Sequence, residues 1–227
     1  MTSKTFIKNV EHESAIKHVT GRAIYTDDIS EPRNLLHAAI GFSPVSKGII
    51  EKIDYSEVLN SDGVIDIITE KDIEGQNDVG PIFKGDKIFT SKKIEYHGQP
   101  IFAVIASSTI LARKALLKVK LKIKKQKPII TIEEAIRKKS FVLKSKTIKR
   151  GKSNTAITNS KHRLTGKLEC GGQDHFYLEG QIAMTIPQED NNFLIYSSTQ
   201  HPSETQQIVA KVLNQKFNSI NVKVRRI

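Results

Sequence analysis

Gly171-Gly172-Gln173-Asp174-His175-Phe176-Tyr177-Leu178-Glu179 is the stretch on which the reading of this chain turns. Two adjacent glycines carry no Cβ, so the backbone there can approach another group closely. Gln173 adds a neutral amide that both donates and accepts hydrogen bonds. On the residues alone, Gln173 reads as a polar residue at a strand end. His175, followed by Phe176 and Tyr177, reads as a hydrogen-bonded core residue. Glu179 reads as a structural carboxylate that pairs with a backbone group or an arginine. Cys170, just upstream, reads as a small buried hydrophobe in a strand, since the sequence assigns it no activating base.

Working outward, the pattern predicts strands over 162–170, 176–187 and 192–198, and a helix over 203–213. Ser203 and Gln206 have capping-box spacing, with Pro202 just before. A last strand is expected over 222–227. Upstream, residues 140–160 are rich in Lys, Ser, Thr and Asn with weak periodicity, which predicts a linker or extended crossing segment. A short helix is expected over 132–139, with acids early and bases late as the helix dipole favours. Residues 117–124 (Leu-Lys-Val-Lys-Leu-Lys-Ile-Lys) alternate strictly, so they predict a strand with one aliphatic and one lysine face. Before it, residues 109–117 predict a helix with Ile110, Ala112, Leu116 and Leu117 facing a sheet. Residues 35–42, 48–54 and 63–69 predict strands. Residues 94–107 hold two apolar halves around Gly98-Gln99-Pro100. Residues 72–87, with Gly75, Gly80, Pro81 and Gly85, predict a long loop.

The chain has 227 residues, 38% hydrophobic and 26% charged, which is globular composition with enough length for a core. No run approaches the roughly 20 apolar residues of a membrane helix, so no membrane partner is expected. The first residues, Met-Thr-Ser-Lys-Thr-Phe, lack the apolar core of a secretory signal, and a cytoplasmic location is the expectation. A single cysteine excludes an internal disulfide framework, a four-cysteine zinc site and an iron–sulfur cluster held by this chain alone. Phosphate-loop, dinucleotide-binding, zincin and nucleophile-elbow motifs are absent. His12, His18, His37, His97, His162 and His201 lack i,i+4 ligand spacing. Asp27-Asp28 reads as turn capping and not as a metal pair.

Net charge is +12, and it is concentrated. Residues 113–167 carry 19 Lys/Arg against only Glu133 and Glu134, net +17, which leaves 17 basic and 22 acidic residues elsewhere, net −5. Of the 36 basic residues, 28 are lysine, which lacks the arginine fork that reads base edges. Phe141 is the block's one stacking ring. A solvated face, or a face toward an acidic partner subunit, therefore outweighs a nucleic-acid site.

Several segments, in order along the chain, carry a resemblance. Residues 171–179 resemble the G-G-Q-[DE]-H-F-Y-L-E signature of the molybdenum hydroxylases, the xanthine dehydrogenase and aldehyde oxidase family. His18-Val19-Thr20-Gly21-Arg22-Ala23, with Tyr25-Thr26-Asp27-Asp28, resembles the start of that family's α/β hammerhead domain. Leu36-His37-Ala38-Ala39, Ser43-Pro44, Tyr96-His97-Gly98-Gln99-Pro100 and Ser198-Thr199-Gln200-His201-Pro202 continue the match, so it covers about residues 10–227. The resemblance implies an α+β fold: a hammerhead over 14–125, a linker over 126–161, and over 162–227 the incomplete start of a molybdopterin-binding domain. It implies an oxidoreductase that hydroxylates a purine (xanthine or hypoxanthine, as in purine catabolism) or aldehyde carbon with water-derived oxygen. The implied cofactor is molybdenum–molybdopterin, with iron–sulfur centres and FAD on partner subunits or domains. Gly172 and Gln173 become cofactor-binding positions, with Gln173 contacting an oxygen ligand of the molybdenum.

The family's Gly-rich segment, its substrate-gripping residues and its base glutamate have no counterpart in these 227 residues. No catalytic residue is therefore expected in this chain. It is expected to be an N-terminal fragment, inactive by itself, whose partners include the missing C-terminal part. The competing reading is a non-catalytic binding or assembly module, or a basic nucleic-acid-binding protein.

Overall fold

The computed structural model describes residues 12–226. These form two packed units: residues up to Gln126 together with those from Leu178 onward, and residues Lys127–Tyr177. The first unit holds nine strands: β1 His37–Phe42, β2 Gly48–Asp54, β3 Val64–Ile68, β4 Lys93–Ile94, β5 Pro100–Ala106, β6 Lys120–Lys125, β7 Ala183–Pro187, β8 Phe193–Ser197 and β9 Ile220–Lys223. Helices α1 Ala15–Val19, α2 Ser56–Leu59, α3 Thr109–Leu116 and α6 Pro202–Val212 belong to it, while α4 Ile132–Arg137 and α5 Ser153–Asn159 lie in the second unit. The fold is α+β, as the resemblance implied.

Three three-stranded sheets organise the first unit, in orders β1-β5-β3, β4-β2-β6 and β7-β8-β9. β5 is central in the first sheet and reads Pro-Ile-Phe-Ala-Val-Ile-Ala, an almost continuous apolar run suited to a strand covered on both faces. Its Phe102, Val104 and Ala106 are buried, and Tyr55 meets the Phe102 ring edge-on at 5.0 Å. α3 lies on this sheet through Ala112 and Ala115, whose small side chains permit close approach. Ser108 caps α3, its hydroxyl accepting the Leu111 N–H. Ile110 and Leu117 do not face the sheet as expected, being 66% and 83% exposed. The buried positions 112 and 115, with half-buried 111 and 116, follow the 3.6-residue period, which points Ile110 outward, and Leu117 lies past the last turn.

The alternating segment does pair as an edge strand, but from Lys120 and not Leu117, because α3 runs on to Leu116. Leu121 and Ile123 turn inward and the lysines outward. Lys120 pairs with Glu57, and Lys122 Nζ lies 3.1 Å from Glu51. Part of the basic block is thus neutralised locally.

In the third sheet, β7 and β8 form an antiparallel hairpin and β9 joins β8 in parallel. α6 connects β8 to β9, with Ala210 packed against Ile195 and Ile220. The capping box expected at Ser203 and Gln206 is not formed. Pro202 occupies the first turn, where its fixed φ suits a helix start, and His201 is the N-cap without a side-chain bond. Gln206 instead donates to the carbonyls of Ile220 (2.6 Å) and Phe217 (3.2 Å), pinning the helix to β9. β9 begins two residues earlier than expected and ends at Lys223.

The loop over 72–87 is ordered by its own polar groups. Asp78 accepts the N–H of Gly80 (2.8 Å) and of Gly85 (2.7 Å). The loop also reaches α6: Gly75 N–H donates to Val212 O (2.9 Å) and Gln76 N–H to Lys211 O (3.0 Å), satisfying carbonyls that a helix end leaves open.

These bonds hold the Asp78 carboxyl below its ordinary value of 3.8, with the Gly80 N–H the largest cause and the Gly85 N–H next. A depressed folded-state pKa stabilises above the unfolded pKa, and that stability is lost as pH falls through the folded value. Wild type should therefore exceed Asp78→Asn in urea midpoint at about pH 6, and the two should converge near about pH 2. An equal gap at both pH values would refute the linkage.

In the second unit, α4 starts after Thr131, whose hydroxyl accepts the Glu134 N–H. Glu134 and Lys138 pair at i,i+4, 2.8 Å apart. Residues 140–160 are not entirely extended, because α5 forms there, although all seven of its residues are exposed.

Candidate cofactor-binding site

The strand expected over 162–170 is absent, and that over 176–187 shortens to β7. The alternation of Leu164, Leu168 and Cys170 has no partner strand: Leu164 and Leu168 are 100% and 86% exposed. Strand propensity without a cross-strand partner fixes no ladder. Cys170 is accordingly exposed, correcting its reading as a buried hydrophobe. His175 is exposed as well, and not a core residue.

Gly171, Gly172 and Gln173 lie in this irregular segment, all exposed. A Cβ added at either glycine would meet no atom within 4 Å, so the glycines leave open backbone and do not relieve an internal clash. Asp174 closes a short side-chain turn, its carboxylate accepting the Phe176 N–H at 3.1 Å. Phe176 has φ 50° and is exposed. The segment thus presents a neutral amide and bare peptide groups to whatever approaches it.

Glu179 behaves as the sequence suggested. Its carboxylate accepts the N–H of Thr26 at 2.7 Å, a backbone partner 153 residues away. Thr26 opens a 3-10 turn, Thr26–Asp28, closed by Asp28 accepting the Tyr25 N–H at 2.9 Å. Asp28 therefore caps a turn, as the Asp27-Asp28 pair was read. The Tyr25 hydroxyl lies 3.1 Å from His18 Nδ1. The sequence carried no signal for the Glu179–Thr26 pairing, because nothing in either local pattern refers to the other.

Among the described residues no three His, Cys, Asp or Glu side chains gather as a metal site. A pterin-bound metal needs an enclosing set of contacts, whereas residues 171–173 supply one exposed amide and open backbone. Taken by themselves the residues present do not fit the group, and no step of its chemistry is derived from them.

Two family models match the chain. One describes the aldehyde oxidase and xanthine dehydrogenase a/b hammerhead domain and matches residues 20–127. The other describes the molybdopterin cofactor-binding domain and matches residues 134–227. Aldehyde oxidase 2 of Rattus norvegicus is 36% identical over 220 residues, 96% of this chain and 16% of that protein. Xanthine dehydrogenase of Dictyostelium discoideum is 35% identical over 218 residues, again 96% and 16%. Among solved structures, the aldehyde oxidoreductase from Desulfovibrio gigas matches with TM-score 0.80 at 24% identity, covering 94% of this chain and 26% of that one, a likeness of fold. The chain thus spans about one-sixth of the length of these curated relatives. It belongs to the xanthine dehydrogenase and aldehyde oxidase family of molybdenum hydroxylases, and carries that family's hammerhead domain and the start of its molybdopterin-binding domain.

Proposed function

We propose that this chain is the N-terminal portion of a xanthine dehydrogenase-type molybdopterin-binding subunit. With the rest of that subunit it takes part in hydroxylating a purine (xanthine or hypoxanthine) or aldehyde carbon, using oxygen from water. The observation that carries this is Gly172-Gln173, exposed among the described residues, inside the region matched by the molybdopterin-binding model. Once the rest of the subunit encloses the cofactor, Gln173 would offer it an amide N–H, which adds no charge beside an anionic group. Gly172 lets the backbone come close. The coverage of about one-sixth of the relatives' length supports further segments as partners: the remainder of the subunit, and iron–sulfur and FAD subunits or domains that take the electrons. No described helix is long and apolar enough to cross a membrane; a cytoplasmic location and a role in purine catabolism belong to this proposal.

The test is to co-produce the chain with a polypeptide covering the remaining length of a relative, then measure molybdenum per complex and dye reduction by xanthine, hypoxanthine and aldehydes. Gln173→Ala should lower turnover at least about tenfold, the scale of a lost hydrogen bond to a charged group, and Cys170→Ala should leave it near wild type. Equal effects of the two changes would refute the assignment of Gln173.

A further inference from the structure

We infer that Glu179 is a positioning residue: it fixes the C-terminal end of the Gly171–Leu178 segment by latching it to Thr26. The inference deepens the reading of Gln173 above and rests on it for its functional meaning. Upstream of Glu179 the chain is irregular and exposed from Ser160 to Leu178, and among the described residues the side-chain hydrogen bond over residues 171–178 is the local Asp174–Phe176 turn. At Glu179 this changes. The carboxylate takes a backbone N–H at 2.7 Å, and a bond from N–H to an ionised acceptor is about twice as strong as a neutral one. Thr26 is only 3% exposed with Glu179 in place, so its N–H has the carboxylate and not water as its partner.

The latch is reinforced on its other side. Ser198 Oγ donates to Gly180 O at 2.8 Å and accepts the Ile182 N–H at 2.9 Å, and the Ser198 N–H donates to Ile182 O at 3.0 Å. Among the described residues the chain is therefore held by side-chain bonds at 179, 180 and 182, and residues 171–178 make no long-range side-chain hydrogen bond. The receiving turn is rigid in its own right through the Tyr25–Asp28 bond. A carboxylate suits this place because it accepts from a peptide N–H with either oxygen. A glutamine keeps one such oxygen and an alanine keeps none.

The experiment uses the full chain with Glu179→Ala and Glu179→Gln. Hydrogen exchange at the Thr26 amide and the rate of chymotrypsin cleavage after Phe176 and Tyr177 are measured, with β1 and β5 amides as the internal reference. Glu179→Ala should raise both rates at least about tenfold while the reference amides stay within about twofold, and Glu179→Gln should recover most of the loss. Unchanged Thr26 exchange and cleavage in the alanine variant would overturn the inference. So would equal rates for the alanine and glutamine variants, or a rise at Thr26 matched by the reference amides, which would mean unfolding and not a latch. Neither measurement involves cofactor, so a failed latch and a failed assignment of Gln173 remain separate results.

Discussion

Gly75→Ala is expected to destabilise the first unit by about 2–4 kcal/mol, the sum of an overpacking cost and lost hydrogen bonds. A Cβ at this position would lie 1.9 Å from Lys211 O, 2.8 Å from Val212 O and 2.9 Å from Asn214 N. All three are backbone atoms at the end of α6, so none can rotate aside as a side chain would. The loop must then withdraw, and both bonds it makes, from Gly75 N–H to Val212 O and from Gln76 N–H to Lys211 O, are lost or stretched. Urea unfolding followed by circular dichroism measures the cost. Gly172→Ala is the matched control, because its added Cβ meets nothing within 4 Å, and it should stay within about 0.5 kcal/mol of wild type. A Gly75→Ala midpoint equal to the control's would show that the loop does not bear on α6 in solution.

That contact also shows where sequence reasoning stops. β5, α3 and α6 were legible because each carries its own pattern: an apolar run for β5, helical composition for α3, and Pro202 just ahead of Ser203 and Gln206 for α6. The region over 72–87 was legible as a loop from its glycines and Asp78. Its task was not, because the carbonyls it satisfies lie about 135 residues downstream and nothing in Gly75-Gln76 refers to them. The converse error occurred over 162–170. Leu164, Leu168 and Cys170 alternate like a strand, but alternation states only which residues would share a face and not that a partner strand exists. The buried reading of Cys170 failed with that strand. Gln206 shows a subtler competition: its spacing to Ser203 suits a capping box, yet the Ile220 carbonyl is the partner it takes. At the candidate site, Gln173 is proposed from the resemblance alone, whereas Glu179 was legible as a structural carboxylate in need of a donor, which it has. Which donor, Thr26, is a property of the fold.

The largest expected effect concerns the metal. Purified residues 1–227 are expected to hold far less than one molybdenum per chain and to show no xanthine- or aldehyde-dependent dye reduction. The reaction needs a held cofactor, a base and a pocket that orients the substrate. By the family resemblance this chain offers Gln173 toward the first, and neither the base glutamate nor the substrate-gripping residues. One amide hydrogen bond to a charged group is worth about 1.5–3 kcal/mol net. Retention through purification requires micromolar binding or better, which is about 8 kcal/mol. The shortfall is several-fold, and the exposed, irregular backbone around Gln173 adds an ordering cost that enlarges it. Addition of the remaining length of the subunit should therefore raise molybdenum content from near zero toward one per complex, not by a modest increment, because the enclosing contacts arrive together. Metal analysis of the isolated chain decides the matter. A value near one would mean that a second pterin site lies within these residues, with ligands other than Gln173, and the assignment of the cofactor to the Gly171–Gln173 segment would fall with it.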